Sequence, residues 1–281
     1  MNDLASSARP SDTRPPEPAR AGERARTPLI PREHGAYGQL GMSLVAALAI
    51  GGLGVAPVAL ALAAILAFVA HESLLVLLGQ RGRRVKDEEG PRARTLLAIL
   101  GGLAAASGLV GLWLAPNEAR LGLLPPIVLL AVVAWLVVNK LEKTAAGEMA
   151  VGAALASSGL AVALAGGAPR AAAMASCFVW TMGFAMATMS VQAVLLRARS
   201  KGREDRGERK AIAIGGLLAF AFGVSLLAGF PLAAPAALVP TAALSIAICV
   251  RRPSPRKLRE MGWAMVASSA FTLVVLVMSL R

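Results

Sequence analysis

The sequence predicts an all-α fold: a polytopic bundle of about nine transmembrane helices, amino terminus inside the cell and carboxy terminus outside. Three observations predict it. Apolar residues make up 56% of the 281-residue chain against 16% charged, with mean hydropathy +0.64. They gather in runs of roughly 20, the length of helix that crosses a bilayer core. Lysines and arginines fall on one side of the alternation those runs define, as loops facing the cytoplasm do.

Residues 1–30 are rich in proline, alanine, arginine and serine and predict a disordered cytoplasmic tail. Their first 27 residues hold no apolar core of the kind a secretory signal needs. Residues 31–281 form the predicted transmembrane domain. Its apolar runs lie near 35–55, 57–79, 94–115, 121–139, 145–165, 171–196, 211–230, 232–250 and 261–280. Gly51, Gly52, Gly54 and Pro57 divide the first two, and Gly229 and Pro231 the seventh and eighth.

All but three of the 29 basic residues sit in the tail or in the loops after the second, fourth, sixth and eighth runs. The three are Arg120, Arg170 and Arg281. Nine spans satisfy this map and an even number does not. The map also accounts for the net charge of +13. Anionic lipid headgroups are the expected partner of such loops. Nucleic acid is not, because no aromatic residues interleave the basic stretches. Low aromatic content (4%) with abundant alanine, leucine and glycine favours closely packed helices over a barrel. Cys177 and Cys249 lie inside apolar runs and read as packing residues, without metal-ligand spacing.

A polar side chain inside a bilayer is a functional candidate, because a charge there costs about 3 kcal/mol on insertion scales. The candidates fall in few places. "PREHGAYGQLG", residues 31–41, carries Glu33, His34 and Tyr37 where the first run begins. His34, Tyr37, Gly38 and Gly41 share one helical face, and the glycines predict close approach of another helix. His71 and Glu72 lie near the inner end of the second run, with Glu72 about two turns before Arg81. Glu148 opens the fifth run and Gln192 closes the sixth. Together Glu33, His34, Tyr37, His71, Glu72, Glu148 and Gln192 predict a polar pocket open to the cytoplasm. The competing reading of His34 and Tyr37 is interfacial anchoring, and that of Glu72 is a structural ion pair.

Two basic stretches also hold acids. "RGRRVKDEEGPRAR" contains Asp87, Glu88 and Glu89, and "RARSKGREDRGERK" contains Glu204, Asp205 and Glu208. Carboxylates beside lysine and arginine can hold Mg²⁺ on a diphosphate while the bases bind its oxygens. The bland alternative is a solvated, self-paired charged loop.

Three stretches resemble the YwiC-like bacterial membrane proteins: "PREHGAYG", "FVAHESLLVLLGQRGRR" and "VQAVLLRARSKGRE". His71 and Ser73 stand where that family's pattern is expected to carry a basic residue and a proline. The resemblance implies a multi-pass protein of the bacterial inner membrane and no particular chemistry. The layout is also similar to that of the UbiA-type intramembrane prenyltransferases, with cytoplasmic loops after the second and sixth spans. That likeness implies Mg²⁺ and an isoprenoid or lipid ligand. However, the aspartate-rich motif of those enzymes is absent, its places taken by His71-Glu72-Ser73 and Gln192. Three functions therefore stand as expectations: a Mg²⁺-dependent prenyltransferase-like enzyme, a small-solute or proton-linked transporter, and a membrane scaffold.

Overall fold

A computed structural model describes residue 29 and residues 34–141, 143–199 and 207–281. Every regular element among them is helical. The elements are α1 (His34–Gly51), α2 (Val55–Leu77), α3 (Arg83–Leu114), α4 (Asn117–Leu121), α5 (Leu124–Val138), α6 (Ala145–Ala165), α7 (Arg170–Arg199), α8 (Gly207–Ala228), α9 (Ala233–Ala236), α10 (Val239–Arg251) and, after a 3₁₀ turn at Pro255–Lys257, α11 (Leu258–Leu280).

Eight segments are long and apolar enough to cross a membrane, counting α4 with α5, α9 with α10 and the 3₁₀ turn with α11. The remaining apolar helix, α1, has 18 residues, or about 27 Å at ~1.5 Å per residue. The predicted break at Gly51–Gly54 falls between α1 and α2. Two boundaries differ from the sequence expectation. The charged stretch before the third run is helical from Arg83, although it contains Pro91. Arg84 pairs with Glu88 at 2.8 Å and Arg92 with Glu89 at 3.4 Å, the one-turn spacings that support an exposed helix. The fourth run folds as one helix, α5, and a short separate helix, α4, precedes it.

Several helices end the same way. At the end of α2, Gly79 has φ +75°, its N–H reaches the Val76 carbonyl, and the Gln80 N–H reaches Leu75. This left-handed stop satisfies two otherwise orphaned carbonyls and favours glycine. The end of α5 uses the same pair of bonds with Lys140 at φ 58°. Lys140→Gly is therefore expected to raise stability by about 0.5–1 kcal/mol, read from the thermal midpoint of detergent-purified protein.

The core runs along α6, α7 and α10, the most buried segments, while α3 packs chiefly on α2 and is the least buried. α1 lies on α6 and runs parallel to it. Gln39 lies beside Gly152, Ser43 donates to the Leu155 carbonyl at 3.3 Å, and Gly51 touches Ala163. Glycines permit this approach. A Cβ on Gly51 would overlap the Ala163 carbonyl oxygen, and one on Gly166 would sit 2.7 Å from the Gly52 oxygen.

The glycines expected to do this were different ones. Gly38 and Gly41 have no described atom within 4 Å of an added Cβ. Among the described residues the motif face of α1 is therefore unfilled at Gly38 and Gly41. The seam runs along Ser43, Ala47 and Gly51, where the small residues of α6 face it.

Candidate functional site

The site begins with the end of α2. Glu72 is almost fully buried, at 4% exposure. An isolated carboxylate there would be costly, and the chain supplies a partner through the glycine stop. After the left-handed Gly79 the backbone reverses, and Gly82 (φ +98°) turns it again into α3. Arg81, between them, is carried back over the last turns of α2. Its Nε donates to one Glu72 oxygen at 2.7 Å and an Nη to the other at 2.6 Å. This fork-to-fork geometry is the strongest form of the pair. The expectation of a structural ion pair for Glu72 looked to His71 or to a basic residue of a neighbouring helix, whereas the partner is Arg81 in the turn directly after α2. The available signal was the Gly-Gln-Arg-Gly stretch directly after the acid-bearing helix.

Tyr37 of α1 packs edge-on against Phe68 of α2, with ring centroids 5.0 Å apart. Glu72 lies one turn beyond Phe68, and its charge is within electrostatic reach of the Tyr37 phenol. Tyr37 is 37% exposed, so it borders the open face of α1 rather than the core. His71 is half-buried beside Glu72.

A second pair joins α6 and α7. The Thr144 hydroxyl caps α6 by accepting from the Gly147 N–H at 3.1 Å, which places Glu148 in the first turn, where a carboxylate suits the helix dipole. Gln192 of α7 donates to the Glu148 carboxylate at 2.9 Å. Gln192→Leu removes that donor and is expected to cost about 1 kcal/mol of stability, measurable by thermal unfolding.

The register sets these features at one membrane level. The offset between α1 and α6 places the start of α1 beside Glu148. The Tyr37–Phe68 contact, on helices running oppositely, places it beside Glu72 as well. Tyr37 and Glu72 are thus brought together, as are Glu148 and Gln192. His34 opens α1 at this level, its side chain lying outside the described residues, and Glu33 lies wholly outside them.

The proposed metal ligands are dispersed. Asp87, Glu88 and Glu89 are consecutive on α3, so they fan around the helix instead of converging. Glu88 and Glu89 are engaged by Arg84 and Arg92. Glu208 begins α8, largely exposed, 3.9 Å from Arg252. Glu204 and Asp205 lie outside the described residues. Among the described residues no group of three or more His, Cys, Asp or Glu side chains is placed to hold a metal ion. The described residues alone therefore do not form a Mg²⁺ site.

An all-helical bundle with eight segments able to span a bilayer, and polar side chains paired inside it, defines a multi-pass integral membrane protein. Residues 30–163, from the threshold of α1 to the last turns of α6, match the family model described as YwiC-like protein, and over that part the chain is similar to that family. The match takes in the first two of the three resembling stretches and ends before the third, at the end of α7. No curated protein and no solved structure matches the chain.

Proposed function

We propose that this chain is a nine-span protein of the bacterial inner membrane that binds an amphiphile at the cytoplasmic ends of α1 and α2. The polar head would sit at Tyr37, His71 and the Glu72–Arg81 pair, and the lipid or isoprenoid chain along the open face of α1. One observation carries this reading. Gly35, Gly38 and Gly41 have no described neighbour within 4 Å of an added Cβ, and this unfilled strip ends at Tyr37 beside a buried ion pair. An apolar strip closed at one end by oriented polar groups is the shape that accepts a tailed molecule.

The 18-residue length of α1, and its lie along α6 from Gln39 beside Gly152 to Gly51 against Ala163, support counting α1 as a full crossing. The positive loops support placing the start of α1 on the cytoplasmic side. The basic first turns of α3, with Arg83, Arg84 and Lys86, would then meet anionic headgroups around the bound molecule.

Native mass spectrometry of the purified protein tests the reading. A co-purified amphiphile is expected, with occupancy at least about tenfold lower in Gly38→Leu/Gly41→Leu, a loss of about 1.4 kcal/mol in binding. Wild-type protein without such an adduct, or an adduct equally occupied in the filled variant, refutes it.

A further inference from the structure

Away from the first six helices, the bundle contains a column of buried hydroxyls that the proposed amphiphile site does not use. On α10, Thr241, Ser245 and Cys249 recur every fourth residue and so share one face. All three are nearly or fully buried, at 5%, 0% and 1% exposure. On α11, Ser268 and Thr272 do the same. Thr241 and Ser268 hydrogen-bond at 2.6 Å, and Thr272 donates to the Ala237 carbonyl at 2.8 Å. At the other end of the column, the Cys249 thiol lies within electrostatic reach of Lys210 and Arg197.

Ser245 lacks the bond that many helical hydroxyls make. Several hydroxyls of α1, α6 and α7 bond back to a carbonyl of their own helix. Ser43 reaches Leu40, Ser157 reaches Ala154, Ser158 reaches Leu155 and Ser190 reaches Ala187, at 2.7–2.9 Å. Among the described residues the buried Ser245 Oγ has no hydrogen-bond partner, nor has Ser225 Oγ on α8 or Trp180 Nε1 on α7; on α2, away from this column, the same holds for Ser73 Oγ. Helices α7, α8 and α10 pack on one another. Buried polar atoms in folded proteins are almost always satisfied, and where protein does not do it, ordered water does.

We propose that α7, α8, α10 and α11 enclose a file of ordered water, entered from the end that carries Lys210 and Arg197 and reaching inward past Cys249 and Ser245 to the Thr241–Ser268 pair. The ligand of this site is water itself. Its hydrogen bonds satisfy Ser245 and make the polar face of α10 tolerable in the middle of an apolar bundle. Such a file hydrates one half of the membrane-buried protein, whereas the α1–α6 seam is closed by direct contact of small residues at Ser43, Ala47 and Gly51.

The test is thiol accessibility in the full-length protein in detergent, in a Cys177→Ala/Cys249→Ser background. Ser245→Cys is compared with Val162→Cys, an equally buried position in the apolar core of α6, using the charged reagent 2-sulfonatoethyl methanethiosulfonate. The expected result is modification at least about tenfold faster at Ser245→Cys. Equal rates at the two positions overturn the proposal. A second variant guards against misfolding of the first. Ser245→Ala removes a hydroxyl bound by water and is expected to lower the thermal midpoint by a few degrees. A midpoint that is unchanged or raised marks a dry, unsatisfied hydroxyl and overturns the proposal as well.

Discussion

Arg81→Ala is expected to destabilise the protein by about 3 kcal/mol, measured as the shift in unfolding free energy in detergent. The cause is the carboxylate left behind rather than the cation removed. Glu72 is 4% exposed and receives both donors of one guanidinium. With Arg81 gone, the charge stays buried without its fork of hydrogen bonds. Arg81 is about one-third exposed, so water reaches its site and holds the cost toward the lower end of the range for buried pairs. Glu72→Gln/Arg81→Gln, which deletes both charges, should recover most of the loss. A double-mutant cycle should then show a coupling above about 1 kcal/mol. Additive effects of the two single changes would mean that the pair contributes nothing beyond its separate contacts.

Gly51→Ala should be at least as damaging, at about 3 kcal/mol or with outright failure to fold. An added methyl at Gly51 meets a backbone carbonyl, that of Ala163, and backbone cannot rotate away as the tip of a side chain can. The ends of α1 and α6 would have to separate. Ser43 donates to Leu155 across the same seam, so that bond would lengthen too. Gly38→Ala gives the contrast. It lies on the same helix in open space and should raise stability by up to about 1 kcal/mol through helix propensity alone. Equal tolerance of the two substitutions, read from melting curves, would show that α1 does not sit against α6 as described.

The contrast also explains why the motif "PREHGAYGQLG" misleads about packing. Its glycines recur at the spacing of a helix–helix seam, and sequence periodicity reports a face without reporting what covers it. Covering depends on where α2 and α6 lie, which is a long-range matter. The same limit applies to Asp87, Glu88 and Glu89. Their clustering along the chain suggested a ligand set, whereas helical geometry spreads adjacent residues around the axis and local arginines engage two of them.

Membrane residence and the positions of nearly all the spans follow from composition and run length, because a bilayer imposes one length and one polarity on every crossing segment. Helix ends were legible for a similar reason. A glycine after an apolar run, as at Gly229, is a local stop that needs no distant partner. Glu72 and Gln192 stood out because a polar residue in an apolar run is conspicuous in any context. Their partners were not legible. Arg81 returns to Glu72 only because two left-handed glycines reverse the chain, and Glu148 meets Gln192 only because α6 packs on α7. Ser245 looked like any serine in a helix until its neighbours left its hydroxyl without a partner among the described residues. Solvent preference is a property of each segment and can be read along the chain. Pairing and burial are properties of two segments at once, and they appear only when the helices are placed side by side.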